Sequence, residues 1–275
     1  MKFKEIAKNF AIGIRGIICK SRVSNYYFLK INKKNLSKHP HFDLLPENFR
    51  AHILSNLGIS RSQYGQDLFV LYMYRYHFTG ELPGGTNGYF VEFGATDGVN
   101  LSNSLMLEKE FGWNGILAEP ARKWKKHLNR NRKSILENAC VYSASGLALR
   151  FFEAEIGSLS TIEGFQELDF HSRTLSSADY LVDSISLEDL LNKHVAPSFV
   201  HYLSIDTEGS EYEILKEFNF GSRNIGIITV EHNFTDAREN IYKLLNKNGF
   251  DRILPEFSQC DDWYVNREFF QKIIK

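Results

Sequence analysis

The sequence lacks most of the features that would assign it at once. Its three cysteines, Cys19, Cys140 and Cys260, are far apart and form no C-x-x-C pair. This excludes a disulfide framework or a cysteine zinc site, and so sparse and odd a number suits a reducing cytosol. Each thiol is expected to be a small buried apolar group. The net charge is zero, which argues against nucleic acid as the partner of the whole chain. Lys8 and Arg15 interrupt the most apolar early stretch, so no spanning helix is expected there. No small-residue cleavage site follows Cys19. Internal repeats are absent. The dinucleotide fingerprint G-x-G-x-x-G is absent as well, because Thr96 stands where its second glycine belongs.

What is present begins with aromatics. The chain holds 22 Phe and 13 Tyr in 275 residues, enough to build a substantial core. Charge is unevenly spread. Residues 1–38 carry ten Lys and Arg against Glu5 alone. Ile6, Phe10, Ile14 and Ile17 recur there at helical spacing, which predicts a basic amphipathic helix. Such a helix suits an anionic membrane surface or a partner protein. It also suits plain packing on the domain with a solvated basic face. The expectation is a helical extension over residues 1–57 and a catalytic-type domain over 58–275. The protein is expected to be cytoplasmic, with peripheral membrane contact through residues 1–38 left open.

From Gly88 onward, strands and helices alternate, which predicts an α/β fold with a mostly parallel sheet covered on both faces. Gly88–Gly98 reads as a short buried strand turning through Gly94 and Gly98 into a helix. Glu92 sits at that turn. A carboxylate there would repel a phosphate but would tolerate a cationic or amine-bearing ligand. S-adenosylmethionine carries both a sulfonium and a free amino group. Gly115–Glu119 is a second short run ending in a carboxylate, stopped by Pro120. At the end of a second strand, such an acid can hold both ribose hydroxyls of a nucleoside.

A third run, Val200–Ile205, ends in Asp206, with Glu208 and Glu211 close behind. Glu211 reads as an exposed first-turn carboxylate favoured by the helix dipole. A fourth run, Ile225–Val230, ends in Glu231, His232 and Asn233. Ligands bind at the carboxyl ends of strands in such sheets, so Asp206 and Glu231 are expected to face one crevice with Glu92 and Glu119. Asp206, Glu231 and the amide oxygen of Asn233 would suit Mg²⁺. Without a metal, His232 or a carboxylate would be the base for an acceptor hydroxyl. Ser134–Tyr142 reads as one strand, Glu153–Tyr180 as a long loop or lid carrying His171 and Arg173, and Ser186 as a helix N-cap. The segments around Phe250 and Trp263 read as a terminal hairpin.

The chain resembles the FkbM-type S-adenosylmethionine-dependent methyltransferases. The resemblance is carried by Glu92-Phe93-Gly94-Ala95-Thr96-Asp97-Gly98, Ser102-Asn103-Ser104, Leu107-Glu108-Lys109, Gly112-Trp113-Asn114-Gly115, Ala118-Glu119-Pro120, Ile205-Asp206-Thr207-Glu208-Gly209-Ser210-Glu211 and Asp262-Trp263-Tyr264-Val265. It implies a Rossmann-like class I methyltransferase fold, with a mostly parallel seven-stranded sheet and a terminal antiparallel hairpin. It also implies methyl transfer, usually to a hydroxyl of a sugar, glycan or secondary metabolite. By that similarity Glu92, Gly94 and Gly98 line the methionine end of the cofactor. Asp97, Ser102 and Asn103 border it, Glu119 holds the ribose, and Asp206 faces the reacting centre. Two other readings stand beside this one: an inactive scaffold that keeps the sheet, and a different nucleotide-using α/β enzyme.

Overall fold

The computed structural model describes residues 36–80, 88–154, 157–166 and 175–271. The basic segment before residue 36, the loop at 81–87, and His171 and Arg173 lie outside the described residues.

Five strands form the parallel centre of the main sheet. They are β1 (Tyr89–Phe93), β2 (Asn114–Ala118), β3 (Ile135–Glu137), β8 (Phe199–Ile205) and β9 (Asn224–Glu231). The terminal hairpin, β10 (Phe250–Ile253) and β11 (Asp261–Asn266), completes it, with β11 antiparallel to both neighbours. The order is β10-β11-β9-β8-β1-β2-β3. This is the α/β sheet expected from sequence, hairpin included.

Side chains leave a strand on alternate faces, so one register row faces one layer throughout. Phe90, Tyr202 and Ile227 are cross-strand neighbours. They belong to a core that also holds Trp263 and the side chains of α1 (Glu47–Asn56) and α2 (Gln66–Tyr76). One residue on, Val91, Leu203 and Ile228 face the opposite core. There they meet α5 (Leu187–Lys193), α6 (Glu211–Glu217) and α7 (Ala237–Lys247). The remaining helices are α3 (Leu105–Phe111) and α4 (Lys125–Asn131). Phe69 stacks on Trp263 with ring centroids 4.7 Å apart, joining α2 to β11. Phe42, Leu45, Phe49 and Ile53 share this first core. Residues 36–57 therefore pack as part of the sheet's cover and are continuous with the domain. Among the described residues no helix is long and apolar enough to cross a membrane.

Two sequence expectations change. The single strand over Ser134–Tyr142 is two strands in two sheets. The Glu137 carboxylate accepts the backbone N–H groups of Asn138 and Ala139, at 2.9 and 3.0 Å, and so takes both donors out of the ladder. β4 (Cys140–Tyr142) then leaves for a second sheet. The expected lid over Glu153–Tyr180 is partly strand. β5 (Ala148–Ala154) runs into it, β6 (Thr161–Ile162) lies within it, and β7 (Leu175–Ser186) begins before its end. These complete the second sheet in the order β4-β7-β5-β6. β7 eludes a periodicity search because Leu181 is exposed and the strand is rich in Ser and Asp. Ser186 does cap α5, its hydroxyl accepting the Asp189 N–H at 3.1 Å.

Candidate functional site

The carboxyl ends of the parallel strands gather the polar residues. The turn after β1 is a close fit of chain against chain. Gly94 has φ +71°, and a Cβ there would stand 2.0 Å from the Asp206 carbonyl oxygen. Gly98 has φ +77°, and its Cβ would meet Arg132 and Leu128 at 2.6 Å. These glycines admit neighbouring chain as well as any ligand. Gly94→Ala is expected to cost at least about 2 kcal/mol, from left-handed strain plus overpacking. Urea unfolding checks this, and a loss within about 0.5 kcal/mol, the scatter of a neutral surface change, would contradict it.

Glu92, buried at the end of β1, is engaged by its own chain. Oε1 accepts the Asn103 N–H at 2.7 Å, and Oε2 accepts the Ser102 hydroxyl at 3.1 Å and the Ser104 hydroxyl. It therefore shapes the backbone of 102–104 beside the crevice. Asn103 donates its side-chain amide to the Ser204 hydroxyl at 2.9 Å, and its Oδ1 is buried without a partner. Asp97 accepts the N–H groups of Val99 and Asn100, each at 2.8 Å, and so folds the turn.

Arg132 locks this region, and no motif in the sequence marks it. Its side chain is wholly buried. It donates to the Gly98 carbonyl (3.2 Å), the Ser102 and Ser104 hydroxyls (3.0 and 2.8 Å) and Glu108 (3.0 Å), and stands 3.7 Å from Glu92. Burial opposes the charge of Glu108, but Arg132 and the Ser134 hydroxyl outweigh it and hold that carboxyl at about 2.

After β2, Glu119 bridges two turns. Its oxygens accept the Thr96 and Ala121 N–H groups, each at 2.8 Å. Burial nevertheless raises its pKa to about 7. Each oxygen keeps acceptor capacity for a further donor. Beside it, a cavity of about 640 Å³ opens among Pro120–Arg122, Glu137–Ala139 and Leu181–Ile185 of the second sheet.

The densest charge lies where β8, β9 and β11 meet. Because β11 is antiparallel, its first residue, Asp261, sits opposite Glu231, the last of β9. Asp206 and Glu231 each bring a carboxylate oxygen within 4.8 Å of the other. Burial raises Asp206 to about 7, and the charges of Glu211 and Glu92 add to it. Burial also pushes Glu231 far above the carboxylate range, helped by Asp206, Glu208, Glu211 and Asp261. Asp261 accepts the side-chain amide of Gln66 at 2.6 Å. Gln66 opens α2, and only the polar run before that helix marks it in the sequence. Glu208 belongs to the cluster too: Asp206, Glu208 and Glu231 each offer a carboxylate oxygen within 4.8 Å of the others. The turns after β1, β8 and β9 each place a non-glycine residue in the left-handed region, namely Thr96, Glu208 and Asn233. Such conformations persist where the surrounding structure fixes them.

Two expectations are corrected here. Glu211 is buried, and its Oε1 accepts the Thr207 and Gly209 N–H groups at 2.9 and 3.0 Å, closing its own turn. His232 does not offer a basic nitrogen. Its Nδ1 accepts the Phe234 N–H at 3.0 Å, which places the ring proton on Nε2. Nε2 is 3.7 Å from Asp262, beyond hydrogen-bond reach, and burial lowers the pKa to about 4. Asp262 is itself held by Arg238, through Nε at 3.0 Å and Nη2 at 2.7 Å, and by Arg252 at 3.1 Å. Asn233 Oδ1 is buried without a partner at the same strand end.

Residues 92–264 match the family model described as the methyltransferase FkbM domain. No curated protein matches the chain. Among solved structures it is similar to methyltransferase FkbM from Methylobacillus flagellatus KT, at 14% identity and a TM-score of 0.41. That alignment covers 87% of this chain and 58% of the other, so the chain spans a little over half the length of that relative. It is also similar to precorrin-6y C5,15-methyltransferase from Geobacter metallireducens GS-15, at 11% identity and a TM-score of 0.35, covering 72% and 85%. A methyltransferase from Pyrococcus furiosus aligns at 14% identity and a TM-score of 0.31, covering 83% and 100%.

Proposed function

The chain belongs to the FkbM methyltransferase family, and from that premise we propose that it moves a methyl group from S-adenosylmethionine to a hydroxyl of a sugar, glycan or secondary metabolite. The observation that carries this reading is the convergence of carboxylates, buried Glu119 after β2 and half-buried Asp206 with buried Glu231 after β8 and β9, on one edge of the sheet. The principal charges acting on Glu231 are all carboxylates. Such a cluster is stabilised by a ligand that brings positive charge and donors. When bound, S-adenosylmethionine supplies an electrophilic methyl carbon on a sulfonium sulfur.

The residues present fit that cofactor. Glu119, fixed by two backbone N–H groups, retains acceptor capacity for a ribose diol. Ser102 and Asn103, set by Glu92, border the methionine end, and Asn103 Oδ1 is an acceptor still without a donor. Asp206, raised only to about 7, would accept the proton of an acceptor hydroxyl, since Glu231 is held protonated and the free lone pair of His232 is taken by the Phe234 N–H. The second sheet leans on both ligand turns: the Thr161 hydroxyl donates to the Glu208 carbonyl at 3.0 Å, and Ala121 packs with Phe151 and Ile162. It is the part that would cover an acceptor and exclude water.

Calorimetric titration of the full chain with S-adenosylmethionine tests the reading. Glu119→Ala is expected to weaken binding about 10- to 100-fold, the value of one or two charge-assisted hydrogen bonds. Unchanged affinity in a folded variant would sink it. Binding of NAD in place of S-adenosylmethionine would favour a different nucleotide-using enzyme.

A further inference from the structure

We propose that Asp206, Glu208 and Glu231 form a site for one hard divalent cation at the methyl-transfer edge of the sheet. The inference rests on the methyltransferase reading of the same crevice and adds an ion to it.

The geometry is that of a shared ion. Carboxylate oxygens bind Mg²⁺, Mn²⁺ or Ca²⁺ at about 2.0–2.6 Å, so oxygens on one ion stand no more than about 5 Å apart. One oxygen from each of these three residues lies within 4.8 Å of the other two. They come from two neighbouring parallel strand ends, β8 and β9, so the sheet itself sets their spacing.

A second observation is independent of the clustering. Glu231 is nine-tenths buried, and its Oε2 has no hydrogen-bond partner. A buried acceptor without a donor costs about 1–3 kcal/mol, more when charged. Its charged surroundings do not offset this: the principal charges reaching Glu231 are those of Asp206, Glu208, Glu211 and Asp261. Asn233 brings a further unpartnered oxygen, Oδ1, to the same strand end. The donor set is all oxygen, which selects hard ions over zinc or copper. A cation here would bind an acceptor hydroxyl and lower its pKa.

The test is a titration of metal-stripped full chain with Mn²⁺ alone, followed by electron paramagnetic resonance, beside a separate calorimetric titration with S-adenosylmethionine. The expected result is one Mn²⁺ bound per chain, displaced by excess Mg²⁺. Glu208→Gln and Asp206→Asn, two variants of unchanged volume, should each weaken Mn²⁺ at least about tenfold by removing one charged ligand. If the parent chain binds no Mn²⁺ yet binds S-adenosylmethionine, the cation site is overturned and the methyltransferase reading stands. If Mn²⁺ binds and S-adenosylmethionine does not, the ion site stands and the cofactor reading falls. Mn²⁺ affinity unchanged in both folded variants also overturns the site.

Discussion

Asp206→Asn is expected to lower methyl transfer about 10²- to 10⁴-fold, the usual contribution of a group that manages a proton in the transition state, while making the fold more stable. Both effects have one origin. Asp206 is a carboxyl taken from water and set against Glu231, Glu211 and Glu92, and its pKa in the fold is about 7. A carboxyl whose pKa is raised on folding holds its proton more tightly in the folded chain. Stability therefore falls as pH climbs from the ordinary carboxylate range through about 7. Asparagine carries no charge to desolvate and still offers Glu231 a donor. The stability difference between variant and parent should thus widen from pH 6 to pH 8, read from urea midpoints of the metal-stripped chains at each pH. A parent chain that remains the more stable of the two at pH 8 would refute the account, as would a variant that transfers methyl groups at the parent's rate. A site that sacrifices stability for chemistry behaves in this way.

Arg132→Met should have the largest effect on the fold itself, about 3–5 kcal/mol, because it leaves Glu92 buried without its cation and Glu108 with only the part-exposed Lys109, at 3.0 Å. The guanidinium serves both carboxylates, one backbone carbonyl and two hydroxyls at once, in a planar array of donors. Lysine has the charge without that array, so Arg132→Lys should recover only a minor part. Adding Glu108→Gln to Arg132→Met should return more, since it removes one of the stranded charges. Chemical denaturation of the three variants checks the order. A loss below about 1 kcal/mol for Arg132→Met, the range of an exposed pair, would show that the network is ornamental.

The parallel strands β1, β2, β8 and β9 were legible because each is a short apolar run ended by a carboxylate, a glycine or a proline. Their shared edge was legible because parallel strands end on one side. What escaped depended on contacts between side chain and backbone that no hydrophobic period records. Glu137 splits a strand by taking two N–H groups from it. β7 is long and polar, so its alternation is faint. Glu92 stands at the turn where the sequence puts it, but its bonds to Ser102–Ser104 and the buried Arg132, 40 residues away in sequence, leave no trace in the local pattern. His232 sits where a base would be sought, but a local turn occupies its free nitrogen. Gln66 reaches Asp261 across 195 residues, a separation that composition cannot anticipate.

The placement of β11 governs when the site can exist. Although β11 is the last of the described strands in chain order, it is inserted between β9 and β10, and its first residue stands beside Glu231. A chain still being synthesised can form the turn after β1 and the Arg132 network from residues already made. It cannot bring Asp261 to Gln66, or close the acidic edge, until the final strand has docked. Pairings of such long sequence separation form slowly, because their loop entropy must be overcome first. Competence to hold a ligand at that edge should consequently wait for that strand to dock and appear all at once with it.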